Sequence, residues 1–464
     1  MSFLIVLAAL CFLMWIAYRG YSVILFAPLV ALGAVALTDP SLVAPMFSGL
    51  FMDKMVGFLK NYFPVFLLGA VFGKVIELSG FSRSIVAGSI RLLGESRAIL
   101  SIVTVCALLT YGGVSLFVVV FAVYPFAAEL FRQSGIPKRL IPGTIALGAF
   151  TFTMDALPGT PQIQNIIPTT FFGTDGWAAP VLGIAGSIFI LIVGLTYLEW
   201  RRRQAKNAGE GYGDPATLVN EPETPSDTSL SHPLIALLPL IVVGVVNKLL
   251  TQWIPEYYGK ETSFIPAVMG QSTPVVQETS KLAAIWAVEG ALIVGILLVF
   301  AFAGKRVLSQ FAAGSKAAIA GALLAAMNTA SEYGFGAVIA ALPGFLVVAN
   351  ALNSIPNPLV NEAITVTALA GITGSASGGL SIALAAMSES FIANANAAGI
   401  PMEVLHRIAS MASGGMDTLP HNGAVITLLA VTGLTHRQAY KDVFAITIIK
   451  TMAVFVVIGL YYLL

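Results

Sequence analysis

The chain has 464 residues, 57% of them hydrophobic and only 10% charged, and its mean hydropathy is +0.88. That composition excludes a soluble globular domain and predicts a polytopic membrane protein. Twenty-four Lys and Arg stand against 23 Asp and Glu, a formal charge of +1, and no basic tract is long enough to follow a phosphate backbone, so nucleic acid is excluded as a partner. Cys11 and Cys106 each lie within an apolar run and read as small buried hydrophobes, not as a disulfide, a nucleophile or a metal site. No metal or cofactor is expected.

In chain order, the opening run 1–18 has no basic residue before it and no small-residue cleavage site after it, so it is expected to be a first span and not a cleaved signal. A bilayer core needs about 20 apolar residues per helix, and full spans are predicted near 3–18, 21–37, 62–79, 178–199, 233–253, 281–303, 335–353 and 443–464. Four other apolar stretches are each about a span and a half long and are interrupted by Gly, Pro, Ser or Asn. They read as two re-entrant hairpins, 98–131 and 359–397, and two helices broken near their middles, 139–172 and 403–434. The hydrophilic stretch 201–232 opens with Arg201, Arg202, Arg203 and Lys206 and is predicted to be a mobile cytoplasmic linker. Further basic positions, Arg83, Arg91, Arg97, Arg132, Lys138, Arg139, Lys305, Arg306, Lys316, Arg437 and Lys441, mark cytoplasmic loops. Residues 38–61, 173–177 and 254–280 are then outward-facing, and both termini lie outside. The parity requires that 318–331 does not span.

The two halves resemble each other. GGVS at 112–115 recurs as GGLS at 378–381, GIP at 135–137 as GIP at 399–401, and MDALP at 154–158 as MDTLP at 416–420. The offsets of 266, 264 and 262 keep their order, which points to a duplication. With the halves entering the membrane from opposite sides, the expected fold is an all-α inverted-topology repeat. Its parts are a first repeat over 1–200, the linker 201–232 and a second repeat over 233–464, each repeat with three spans, a hairpin, a broken helix and a closing span. Secondary transporters place their sites at the midplane of such folds.

The repeated motifs supply the candidate residues. Glycine at a hairpin tip permits a sharp turn with N–H groups facing inward, and serine adds small donors, which together suit a carboxylate. The tips nominate Gly112, Gly113, Ser115, Ser375, Ser377, Gly378, Gly379 and Ser381 for substrate binding, against the plainer role of small residues in close helix packing. The MDxLP motif puts an acid and a helix-breaking proline inside an apolar segment, so Asp155 and Asp417 are candidates for carrying a coupling proton or for capping the half-helix that follows. Glu332 is a third buried acid with a proton-coupling role in view. His421, directly after the second break, is a candidate both for substrate and for proton binding, and Thr160, Gln164 and Asn422 are weaker polar candidates. Glu289, Lys74 with Glu77, and Lys450 are expected to form ion pairs or to snorkel to the interface, and lie outside the predicted site. No Arg or Lys falls within that site.

TASEYGFG at 329–336, GITGSASGGLS at 371–381 and ASGGMDTLPHNGAVITLL at 412–429 resemble the gluconate permease family of bacterial carboxylate:proton symporters, within the ion transporter superfamily, and within it the D-3-hydroxybutyrate permease branch. The resemblance covers nearly all of the chain except the linker. It implies a bacterial inner-membrane elevator-type symporter, a scaffold that dimerises, and proton rather than sodium coupling. The scarcity of polar residues at the tips favours a small monocarboxylate over gluconate or another sugar acid. Two other functions stay open from the sequence. An intramembrane aspartyl protease also needs two embedded aspartates, and a channel needs a continuous polar pore.

Overall fold

The computed structural model describes residues 2–19, 21–93, 97–114, 116–214, 218–221, 231–265, 274–420 and 422–464. Most of them are helical. The first half comprises α1 (Ser2–Tyr18), α2 (Val23–Thr38), the short α3 (Val43–Pro45), α4 (Met52–Ser79), α5 (Phe81–Leu93), α6 (Ala98–Tyr111), α7 (Leu116–Gln133), α8 (Ile141–Ala149), α9 (Phe152–Asp155), α10 (Ile163–Phe172) and α11 (Pro180–Asn207). The second comprises α12 (Pro233–Tyr258), α13 (Thr279–Ala340), α14 (Phe345–Asn353), α15 (Pro358–Thr373), α16 (Ala376–Ala397), α17 (Met402–Ser413), α18 (Gly423–Thr432) and α19 (His436–Leu463). Between α12 and α13, β1 (Thr262–Phe264) and β2 (Val275–Gln277) form an antiparallel pair. Proline at the first helical turn opens α11, α12 and α15, where its missing N–H removes no hydrogen bond. Left-handed glycines, Gly80, Gly173, Gly374 and Gly433, close α4, α10, α15 and α18.

Among the described residues, Pro40–Ser79, Pro180–Asn207, Pro233–Tyr258, Lys281–Ala340, Ala376–Ala397 and His436–Leu463 are long and apolar enough to cross a membrane. The chain is therefore a multi-pass membrane protein. Residues 38–61, predicted as an outward loop, are instead helical from Pro40 onward and run into α4 through a π-helical segment, Met46–Phe51. Asp53, Lys54 and Lys60 lowered the apparent hydropathy of that stretch without ending the helix.

The largest departure from expectation is α13. Its backbone leaves helical geometry at Ala303 (φ −135°, ψ 21°), and there the helix folds back on itself. Phe300 and Phe311 would lie about 16 Å apart along a straight helix, yet their ring centroids are 5.2 Å apart. On either side of the fold, Gly295 faces Phe72 and Gly314 faces Leu78 and Lys74, so both limbs pack on α4. The second limb, 304–340, is unbroken, contains 318–331, and runs antiparallel to α4 until Gly334 meets Phe51. The predicted span 335–353 does not exist as one helix, because it is interrupted at 341–344, around Pro343, before the nine-residue α14.

The helices form two packed groups. One contains α1, α2, α4, α12 and α13; the other contains the hairpins α6–α7 and α15–α16, the interrupted helices α8–α10 and α17–α18, and the long closing helices α11 and α19. The predicted mobile linker is largely something else. Residues 201–207 continue α11, and 208–214 with 218–221 lie as a strap across the second group. Glu210 makes two 2.7 Å bonds to Arg139, Glu221 pairs with Lys138 at 2.7 Å and with Arg132, and Tyr124 donates to the Asn220 carbonyl at 2.7 Å. Asn220 in turn donates to the Ala430 carbonyl at 2.9 Å, reaching the other half of the chain. Behind the strap, Asp442 of α19 accepts from Arg201 at 2.6 Å and from Tyr197 at 2.8 Å.

Candidate functional site

Each hairpin tip is fastened to the interruption in its own half. In the first half, Gln162 donates to the Thr110 carbonyl at 2.7 Å, and the Tyr111 hydroxyl donates to the Pro158 carbonyl at 2.9 Å. In the second, the Asn422 amide donates to the Gly374 carbonyl at 2.7 Å while its oxygen caps α18 by accepting from the Val425 N–H at 2.9 Å. Ser375 caps α16 in the same way, accepting from Gly378 N–H at 3.0 Å. These are short polar side chains satisfying backbone groups that a turn or a helix break leaves without intrahelical partners.

The consequence is one cavity of about 730 Å³ between the two helical groups. Its wall on one side comes from α2, α4 and α13; on the other it comes from both tips and both interruptions. Four helices begin at this cavity: α7 at Leu116, α10 at Gln162 and Ile163, α16 at Ser375 and Ala376, and α18 at Asn422 and Gly423. Each brings the positive end of its dipole and first-turn N–H groups without intrahelical acceptors. Phe150, Met154, Thr373, Asp417, Thr418 and Glu332 complete the deep part, and Tyr21, Lys74 and Glu77 lie toward one end.

The sequence candidates divide on this geometry. Gly113, Gln164, Ser375, Ser377, Asn422, Asp417 and Glu332 line the cavity. Gln164 Oε1 and Glu332 Oε2 are buried without a hydrogen-bond partner. Glu332 lies tight against Gly378: a Cβ there would fall 1.7 Å from Glu332 Oε2, so glycine is what lets the carboxylate enter. Ser377 meets Thr329 at 3.2 Å, joining the second tip to α13. Other candidates sit behind the wall. Thr160 is fully buried and donates to the Thr153 carbonyl at 2.8 Å; Ser381 is fully buried on α16. Gly112 accommodates Leu240 of α12, and Gly379 accommodates the backbone of Ala370, so both serve close packing. Asp155 ends α9, is buried, and points Oδ2 at Gly414 in the other interruption. Ser115 and His421 lie outside the described residues.

Two buried cations lie behind the cavity wall. Lys450 does not snorkel: its side chain is 2% exposed, and its ammonium donates to Asp417 Oδ1 at 2.5 Å and to the Phe150 carbonyl at 2.9 Å. Arg407 of α17 is completely buried and donates to the carbonyls of Ala178 (2.8 Å), Asp155 (3.3 Å) and Gly176 (3.4 Å) and to Asn165 Oδ1 (3.0 Å). His406 beside it bonds to Thr174 at 2.6 Å and Asn165 at 3.2 Å. The signal for both was a count. Arg407 is the one basic residue in 403–434 and Lys450 the one charge in 443–464, matching in number the two acids Asp155 and Asp417. Lys74 and Glu77 do form the expected ion pair, at 2.8 Å, but they form it at the cavity.

No family model matches the sequence. Among solved structures, the Alcanivorax borkumensis YdaH transporter aligns over 88% of each chain at 15% identity and a TM-score of 0.49. The Neisseria gonorrhoeae protein MtrF, from a class of antimetabolite efflux pumps, aligns over 88% of this chain and 82% of its own at 13% identity and a TM-score of 0.42. At such scores the likeness is remote. A much nearer relative is the Bacillus subtilis (strain 168) protein named "Uncharacterized transporter YxjC", which is 58% identical over 468 residues and 99% of both chains. Identity of that extent establishes that the chain belongs to the same family of membrane transporters as YxjC.

Proposed function

We propose that this transporter is a proton-coupled carrier of a small organic monocarboxylate, with D-3-hydroxybutyrate the leading candidate and gluconate or another sugar acid the alternative within the same family resemblance. The observation that carries the reading is the convergence of four helix N-termini on one cavity. Oriented dipoles and free N–H groups bind a carboxylate without a side-chain cation, and in this chain the buried cations are otherwise engaged. The carboxylate sits between the tips 112–114 and 374–377 and the helix starts at 163 and 423; Ser375, Ser377, Gln164 and Asn422 supply the polar contacts.

A bare anion is costly to carry through a low-dielectric barrier, so the coupled proton cancels its charge. Glu332 is the group we assign to it. It faces the cavity, one of its oxygens has no partner, and it lies against a hairpin tip. Asp417, the other cavity-lining acid proposed from sequence, already has a counter-charge in Lys450. Asp155 does not line the cavity.

The movement we propose is an elevator in an inverted-topology repeat. Its support is the parallel order of elements: α4 and the limb 304–340 are each followed by a glycine break and a short helix, then by a hairpin, an interrupted helix and a long closing helix. The cavity separates the two helical groups, as a carrier moving one group against the other requires. Assigning the basic loops to the cytoplasm puts Lys74 and Glu77 at an inward-facing mouth.

The test is uptake of labelled D-3-hydroxybutyrate into proteoliposomes under an inward pH gradient, with gluconate and short-chain fatty acids as competitors. Accumulation that collapses with a protonophore is expected. Glu332→Gln is expected to leave exchange of substrate while removing its response to the pH gradient. Uptake by that variant with an unaltered pH response assigns the proton elsewhere, and absence of accumulation under any gradient overturns the symport reading.

A further inference from the structure

Folds that place a binding site at interrupted helices use the unwound carbonyls and the negative C-terminal ends of half-helices to hold a coupling cation. This protein has such a position, and a side chain fills it. The Phe150 carbonyl belongs to the residue that closes α8, so it carries the negative end of that helix dipole. Asp417 brings a carboxylate from the interruption in the other half, and Asp155 Oδ2, at the first interruption, is buried without a partner. The Lys450 ammonium lies between the first two, 2.9 Å from the carbonyl and 2.5 Å from the carboxylate. Its carrier helix, α19, is a closing helix that contributes nothing to the cavity wall.

We infer that Lys450 is a built-in cation: its ammonium occupies, from within the chain, the place at the crossing of the two helix interruptions that a monovalent ion would otherwise take from solution. The role is one of positioning. Lys450 touches neither the cavity nor a substrate placed in it; it holds Asp417 and the end of α8 in register, so that both walls of the site move as one body. Sodium then has no vacant position there, which makes the carrier indifferent to it. The inference rests on reading the chain as a carrier whose site lies at these interruptions.

The test needs no substrate. Unfolding temperatures of the purified protein are measured in sodium chloride, in choline chloride at the same ionic strength and in ethylammonium chloride. The wild type is expected to unfold at the same temperature in all three. Lys450→Ala vacates the position, and its unfolding temperature is expected to rise saturably with sodium or ethylammonium and not with choline; Asp417→Asn added to it removes the response. A folded Lys450→Ala protein that is as indifferent to the cation as the wild type overturns the inference. Should that variant not fold, the wild type decides in proteoliposomes: accumulation driven by a sodium gradient overturns it, and identical uptake in sodium and choline upholds it. Because the unfolding measurement contains no cargo, a wrong assignment of the carboxylate shows in the competition assay alone and leaves the test of Lys450 intact.

Discussion

A methyl group at residue 378 collides with the Glu332 carboxylate, whereas one at residue 423 meets nothing within 4 Å, although both glycines lie at helix starts around one cavity. Gly378→Ala is therefore expected to cut uptake at least about tenfold, the rate equivalent of a 1.4 kcal/mol disturbance, while Gly423→Ala keeps most of it; transport measured at matched expression distinguishes them. Arg407 gives a prediction of a different kind. Its buried guanidinium donates to four oxygens, reaching the Ala178 carbonyl through both Nε and a terminal nitrogen. Leaving a buried acceptor unsatisfied costs about 1–3 kcal/mol, so Arg407→Met is expected to lower thermal stability sharply, in detergent and without substrate. At this scale the acids were legible in the sequence, since a carboxylate inside an apolar run advertises itself. Their partners were not. Asp417 and Lys450 are 33 residues apart on separate helices, and a lysine eight residues into a span has a stem long enough to reach the interface, so nothing local distinguishes the two fates.

At the scale of elements, Asn422 carries two jobs that a single substitution separates from the rest of the cavity: it caps α18 and ties the second tip through Gly374. Asn422→Ala is expected to cost about 1–2 kcal/mol, the range for a lost N-cap, and to speed hydrogen exchange in the first turn of α18 and at the hairpin tip together. Faster exchange in α18 alone contradicts the tie. Several helix ends coincide with the Pro, Gly and Asn that punctuate the apolar sequence at helix-breaking places. The course of α13 was not legible in that way. Hydropathy sees Asn328, Ser331 and Glu332 as a polar gap, but Asn328 and Glu332 line the cavity and Ser331 is buried against α4, so all three sit within a continuous helix. Conversely, 335–353, read as one span, is interrupted around Pro343. The fold at Ala303 falls where the predicted span 281–303 ends and is followed at once by Gly304, Lys305 and Arg306, but no loop separates the two limbs.

For the whole molecule, the strap joins charge chemistry outside the apolar segments to the packing of the second helical group. Hydrogen bonding from Arg139 holds the Glu210 carboxyl below its ordinary value of 4.5. The hydrogen bonds of Lys138 and Arg132 do the same for Glu221 against the opposing effect of burial. Carboxyls depressed in the folded state stabilise it above their ordinary pKa, and that contribution disappears as the pH falls through the depressed value. Strap docking is thus expected to be complete at neutral pH and to loosen below about pH 4.5, read as faster protease cleavage within 208–221. Since the pairs are partly exposed, added salt loosens them in the same direction.

The strap's contacts with both halves also bear on the chain's continuity. Residue 220 lies in the linker, which follows the first repeat, and its side chain grips Ala430 of the second, where Gly433 leaves room for the Val219 carbonyl. A polypeptide ending at 221 therefore carries its own recognition surface for the rest of the protein. Coexpressed fragments 1–221 and 231–464 are expected to reassemble into an active carrier, and 1–207 with 231–464 to do so poorly; the complementation yield of the two pairs measures how far assembly relies on docking and how far on the covalent link.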